Sequence, residues 1–123
     1  MFMEKLTPQE EIAMQIIWQK GTGFIKEYLE EYPEPKPPYT TVASIVKNLE
    51  RKGFIKGRKY GMIIEYTPVV SEKLYKKKFM GGFVKDYFEN SYKELVTFFA
   101  KEKKISPEDL KEIINIIENN AGE

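Results

Sequence analysis

A change of apolar period halfway along the chain constrains its fold most. From Tyr39 to Gly53 the apolar residues fall at Val42, Ile45, Val46 and Leu49. That i, i+3, i+4, i+7 spacing makes one buried stripe on a helix, and Gly53 stops it. The pattern then switches to Phe54-Ile55-Lys56-Gly57-Arg58-Lys59 and Met62-Ile63-Ile64-Glu65-Tyr66-Thr67, joined by Tyr60-Gly61. Aromatic and β-branched residues about a glycine turn predict a β-hairpin, which Pro68 ends.

Two helices precede this pair. Thr7 can cap a helix, Pro8 suits its first position and Glu10 can close a capping box. That helix is expected to run to about Lys20 and stop at Gly21, with Ile12, Ala13, Ile16, Ile17 and Trp18 as its buried surface. A second is expected over Thr22 to Tyr32, with Phe24, Ile25, Tyr28 and Leu29 inward. Pro33-Glu34-Pro35-Lys36-Pro37-Pro38 cannot be helical, because each proline lacks an amide hydrogen and constrains its predecessor. Three helices and then a hairpin is the element order of a winged helix-turn-helix. The expected fold class is therefore α+β, mostly α.

Beyond Ser71 the chain reads as helical. Leu74, Tyr75, Phe79, Phe83, Tyr87 and Phe88 form an aromatic-rich stripe, with Gly81-Gly82 as an expected kink or weak point. Tyr92, Leu95, Val96, Phe98 and Phe99 mark a further helix. Ser106-Pro107 starts the last, which carries Leu110, Ile113, Ile114 and Ile117 at helical spacing. The tail from Asn119 is expected to fray. These helices have little within one chain to pack against, so a partner chain is the economical answer. The expectation is a winged-helix domain over 1–70 and a helical dimerisation region over 71–123. The dimerisation candidates are Tyr75, Phe79, Phe83, Phe88, Leu95, Phe99, Leu110, Ile113, Ile114 and Ile117.

Composition narrows the function. At 123 residues the chain fits one domain, or a small domain with an oligomerisation element. It has no cysteine and no histidine, which rules out disulfides, thiolate metal sites and serine–histidine or cysteine–histidine nucleophile pairs. Carboxylate-only chemistry stays open, but the acidic residues alternate with lysines as on a solvated face. No enzyme activity, cofactor or metal is expected. No apolar run approaches the ~20 residues of a membrane span, and Met1 to Leu6 lacks the apolar core of a signal peptide, so a cytoplasmic protein is expected.

The net charge is only +1, from 20 basic and 19 acidic residues, so the sum points to no nucleic acid. The distribution does. Between Lys47 and Lys59 there are six basic residues and a single acidic one, Glu50. On the third helix Thr40, Ser44, Lys47 and Arg51 fall opposite the apolar stripe, making a small, hydroxyl-bearing, basic face without a carboxylate. Such a helix enters the major groove of double-stranded DNA while the wing reaches the backbone. Thr40, Thr41, Ser44, Lys47 and Arg51 are candidate groove contacts, and Lys56, Arg58 and Lys59 candidate phosphate contacts. Lys76-Lys77-Lys78 reads as a second phosphate contact or as solvated surface. The rival reading is a protein–protein adaptor, with the winged domain as scaffold and the aromatic surface as docking site.

The residues also resemble a known family. Leu6-Thr7-Pro8-Gln9-Glu10 leading to Ile16-Ile17-Trp18 is similar to the opening of the BlaI/MecI family of penicillinase repressors. Thr40 to Gly53 is similar to that family's recognition helix and its lysine–glycine exit, and Phe54-Ile55 and Tyr66-Thr67-Pro68 to its wing strands. Phe83, Phe88, Ser91 and Leu95-Val96 are similar to its dimerisation helices. The resemblance implies a homodimeric repressor that binds an inverted-repeat operator in front of β-lactamase-type or other stress genes. It places Thr41 at a DNA-contacting threonine, and Ala43 where some members carry arginine. It also implies a membrane sensor-protease system as partner, without membrane insertion of this chain. The bond matching the one cleaved in several members is Phe98–Phe99, which lacks their asparagine. A copper-responsive branch uses C-terminal cysteines, which are absent here.

Overall fold

The structure is a computed structural model that describes residues 4–120. Expectations placed on residues 1–3 and 121–123 lie outside the described residues. The fold is mostly helical with one small antiparallel sheet, and the chain divides into two compact units, 1–79 and 80–123. The first unit thus continues past the expected boundary at 70.

In the first unit, α1 (Pro8–Lys20) begins where the capping residues predict. Thr7 Oγ1 accepts the Glu10 amide at 3.2 Å, and Glu10 Oε1 accepts the Thr7 amide at 2.9 Å. Gly21 closes the helix at φ 80°, a conformation other residues resist, and donates its amide to Ile17 O at 2.7 Å. The buried face of α1 is Ala13, Met14, Ile16 and Ile17, while Ile12 is 52% exposed. This corrects the expected face. Apolar residues surround α1, so their period does not select the inward side, and packing against the rest of the unit selects Met14.

The stretch expected as one helix from Thr22 is a short strand, β1 (Gly23–Phe24), followed by α2 (Ile25–Glu30). Glu27 Oε1 accepts the Phe24 amide at 2.9 Å and so starts α2 directly after the strand. The proline segment is irregular, and α3 (Tyr39–Arg51) follows it. The hairpin is β2 (Ile55–Tyr60) and β3 (Ile63–Pro68), so Gly61-Met62 forms the turn and Tyr60 stays in its strand. The strand order is β1-β3-β2, all antiparallel, with Gly23 opposite Tyr66 and Gly57 also opposite Tyr66 from the other side.

One core joins these elements. Ile17, Val42, Val46, Leu49, Phe54 and Tyr66 lie at its centre. The Trp18 indole donates to Val70 O at 2.9 Å and ties α1 to the end of the hairpin. Tyr75, on α4 (Glu72–Phe88), is buried in the same core, with its ring 5.7 Å from both Trp18 and Phe54. It was expected on a dimer face. Two aromatic partners inside the same unit hold it instead, which corrects that assignment. Phe79 stacks on Tyr75 at 6.3 Å and remains 41% exposed.

The second unit holds the rest of α4, α5 (Tyr92–Lys101) and α6 (Pro107–Asn119). The helix passes unbroken through Gly81-Gly82. Glu89 and Asn90 adopt positive φ after it, and Ser91 caps α5 by accepting the Glu94 amide at 3.1 Å. Ser106 and Asp109 form a reciprocal capping box on α6 at 3.0 and 3.1 Å. A chain of aromatic contacts links Phe83 to Tyr87 and Phe88, Phe88 to Phe98, and Phe98 to Phe99. Yet neither α5 nor α6 contains a buried residue.

Candidate nucleic-acid interface

Helix α3 owes its orientation to the stripe read from the sequence. Val42, Ile45, Val46 and Leu49 are all buried. Burying them turns Thr40, Ser44, Lys47 and Arg51 outward, and all four are exposed. Thr41 is half-buried on the flank of that face. Two turns on from Thr41, on the same flank, lies Asn48, which is exposed. Sequence reasoning passed over Asn48, although an amide carrying a donor and an acceptor is a usual partner for adenine in the major groove. Its position on α3 was the available signal.

The helix starts at Pro38, which offers no side-chain cap, and its first turn holds no acidic residue. The positive end of the helix dipole is therefore not countered by a neighbouring carboxylate on α3, an arrangement that suits a phosphate.

The wing cations do not act as one cluster. Side chains alternate across a strand, so Lys56, Arg58 and Tyr60 share one side of β2, and Gly57 and Lys59 the other. The Arg58 guanidinium lies 5.7 Å from the Tyr60 ring centre, and Tyr60 meets Phe24 edge-on at 6.4 Å. The aromatic pair thus supports the arginine from beneath. Among the described residues, none of Lys47, Arg51, Lys56, Arg58 and Lys59 pairs with a carboxylate.

Two charged residues of the basic stretch are engaged internally. Lys52 Nζ bonds Glu10 Oε1 at 2.6 Å and Lys5 O at 3.3 Å, with its side chain 9% exposed. It belongs to the core boundary between α1 and α3, not to the outer face. Burial raises the Glu10 carboxyl, but the bonds from Lys52 and the Thr7 amide outweigh it and leave Glu10 below the ordinary carboxylate range. Glu50 turns onto the Gly57 amide, which donates to its Oε2 at 3.1 Å. Neither use is visible in sequence spacing. The outer face of α3 thus presents Lys47 and Arg51 without ion-pair partners among the described residues, while the Glu50 carboxylate is held to the side against β2.

Among the described residues no group of histidine, cysteine, aspartate and glutamate is placed to hold a metal ion, and no helix is long and apolar enough to cross a membrane.

Comparisons with known proteins identify the family. The family model described as penicillinase repressor matches residues 6–119. The methicillin resistance regulatory protein MecI of Staphylococcus aureus (strain N315) is 27% identical over 106 residues, covering 85% of this chain and 86% of that protein. The penicillinase repressor of Bacillus licheniformis is 23% identical over 115 residues, covering 89% and 87%. Among solved structures, an organohalide-sensing transcriptional regulator bound to 2,4-dichlorophenol aligns with a TM-score of 0.46 at 13% identity, and this chain spans 62% of its length. With its family model matched from Leu6 to Asn119, the chain belongs to the penicillinase repressor family.

Proposed function

We propose that the protein is a homodimeric transcriptional repressor that binds an inverted-repeat operator and blocks transcription by occupying it. The observation that carries this reading is the outer face of α3, where Thr40, Ser44, Lys47 and Arg51 are exposed together with no carboxylate among them. In this reading the helix lies in the major groove. Thr41 and Asn48 reach base edges from its flank, and Lys56, Arg58 and Lys59 neutralise phosphates on the two sides of the wing. Two copies joined through the second unit place two such helices in successive major grooves, so dyad symmetry in the protein requires an inverted repeat in the DNA.

A membrane sensor-protease is the finer part of the proposal. Its target would be Phe98–Phe99, both residues exposed but their bond inside α5, so cleavage requires that helix to open locally.

Gel-shift binding of the purified protein to the promoter of its own gene cluster, at two salt concentrations, tests the reading. A specific complex of two chains per site that weakens steeply with salt is expected. Binding no better than to random DNA would move the function to the second unit's apolar surface as a protein-docking adaptor, whose affinity responds little to salt.

A further inference from the structure

The wing and the recognition helix are joined by one side chain. Strand β2 is at the sheet edge, because the order is β1-β3-β2. An edge strand leaves alternate amides without a strand partner. At Gly57 that outward amide is taken by Glu50 Oε2 at 3.1 Å, from the last turn of α3. The fit is close. A Cβ at position 57 would lie 2.8 Å from Glu50 Oε2, 2.9 Å from Ile64 Cγ2 and 3.1 Å from a Tyr66 ring carbon. So Gly57 is glycine because Glu50 and the neighbouring strand crowd its α-carbon, and Glu50 faces β2 although its own helix face looks outward.

We propose that Glu50 is a positioning residue for DNA binding, which fixes the angle between recognition helix and wing so that both engage one half-site together. It touches neither base nor phosphate in this role. The inference rests on the DNA-binding reading and deepens it. A hinge left free at this point would let α3 bind its groove without the wing, and the ordering of the wing would then oppose binding.

The chemistry separates geometry from charge. Glu50→Gln keeps an oxygen to accept the Gly57 amide and removes a negative charge near phosphate. Glu50→Ala removes both. Each variant, and Gly57→Ala, is to be measured for operator affinity, hydroxyl-radical footprint and amide hydrogen exchange at position 57, with a thermal melt to verify folding. Glu50→Gln is expected to bind at least as tightly as wild type. Glu50→Ala is expected to bind roughly three- to tenfold more weakly than Glu50→Gln, the range of one hydrogen bond's net contribution. Its footprint should lose protection under the wing and keep it under α3, and exchange at Gly57 should accelerate. Gly57→Ala should reproduce the footprint change with Glu50 intact. Equal affinities and footprints for folded Glu50→Ala and Glu50→Gln would overturn the proposal. If the wild-type protein bound no operator, the repressor reading would fall. Unchanged exchange at Gly57 in Glu50→Ala would then still dismiss the positioning contact by itself.

Discussion

The Lys52–Glu10 pair is the most exacting feature at the scale of single residues. Their side chains are 9% and 6% exposed, and the 2.6 Å bond joins the end of α3 to the first turn of α1. Removing the ammonium leaves a buried carboxylate without its partner, so Lys52→Met should lose about 3 kcal/mol of stability at neutral pH. The sign of the pH effect follows from Glu10, whose carboxyl is held below its ordinary value. Its contribution is present above about pH 4.3 and is lost as pH falls through the lower folded value. The gap between wild type and Lys52→Met in urea melts should therefore narrow as pH is lowered from 7 through the acid range. A constant gap would remove the ion pair as its cause. Tyr28 gives the opposite limb. Burial, helped by the Glu27 charge, pushes its phenol up to about 12, and the single proton of its hydroxyl is shared between Gly21 O at 2.7 Å and Tyr66 O at 3.2 Å. An acid whose pKa is raised on folding supplies stability that is complete below about pH 10 and lost as pH rises toward the folded value. Tyr28→Phe should cost roughly 1–3 kcal/mol at pH 8 and remove part of the loss seen at pH 11, measured by denaturant titration.

Among the elements, α4 departs most from local propensity, carrying Gly81-Gly82 in its middle and yet running from Glu72 to Phe88. A Cβ at Gly82 would meet no atom within 4 Å, and one at Gly81 only the Tyr92 hydroxyl at 4.0 Å. Gly82→Ala should then stabilise the helix by roughly 0.5–1 kcal/mol, read as a higher melting temperature and greater helicity by circular dichroism. A lower melting temperature would mean that position 82 is not simple open helix. The same contrast between local and distant control explains what the sequence disclosed. Helices α1, α3 and α6 were legible because Thr7, the Val42–Leu49 stripe and Ser106 act within a few residues of themselves. The outer face of α3 came with its inner one. Strand β1 was not legible, since two residues carry no period and Gly23 is held by pairing with Tyr66, far along the chain. The roles of Lys52, Glu50 and Tyr75 were hidden for the same reason. Each depends on a partner brought close only by the tertiary fold, and a lysine, a glutamate and a tyrosine on helices look alike in sequence whether they face water or a buried mate.

At the scale of the whole molecule the two units are unequally provided. The first has a buried core, whereas α5 and α6 bury nothing and leave Ile113, Ile114, Ile116 and Ile117 between 40% and 63% exposed. An apolar helix face in water contributes little to stability until something covers it, and a second copy offers a matching face by symmetry. The double variant Ile114→Asp, Ile117→Asp should sediment as a monomer. The lone tryptophan, Trp18, sits against Tyr75 in the first unit, so unchanged tryptophan fluorescence would show that this unit remains folded. Operator binding is the decisive reading. A dimer binds its second half-site intramolecularly, at an effective concentration far above that of free protein, so losing the linkage should weaken full-site binding by roughly 100-fold or more. Affinity for a single half-site should change little, because α3 and the wing are intact. A variant that stays dimeric and binds the full site like wild type would place the interface elsewhere. One that turns monomeric without losing full-site affinity would show that the two half-sites are read independently, and the inverted repeat would then have no need of a symmetric protein.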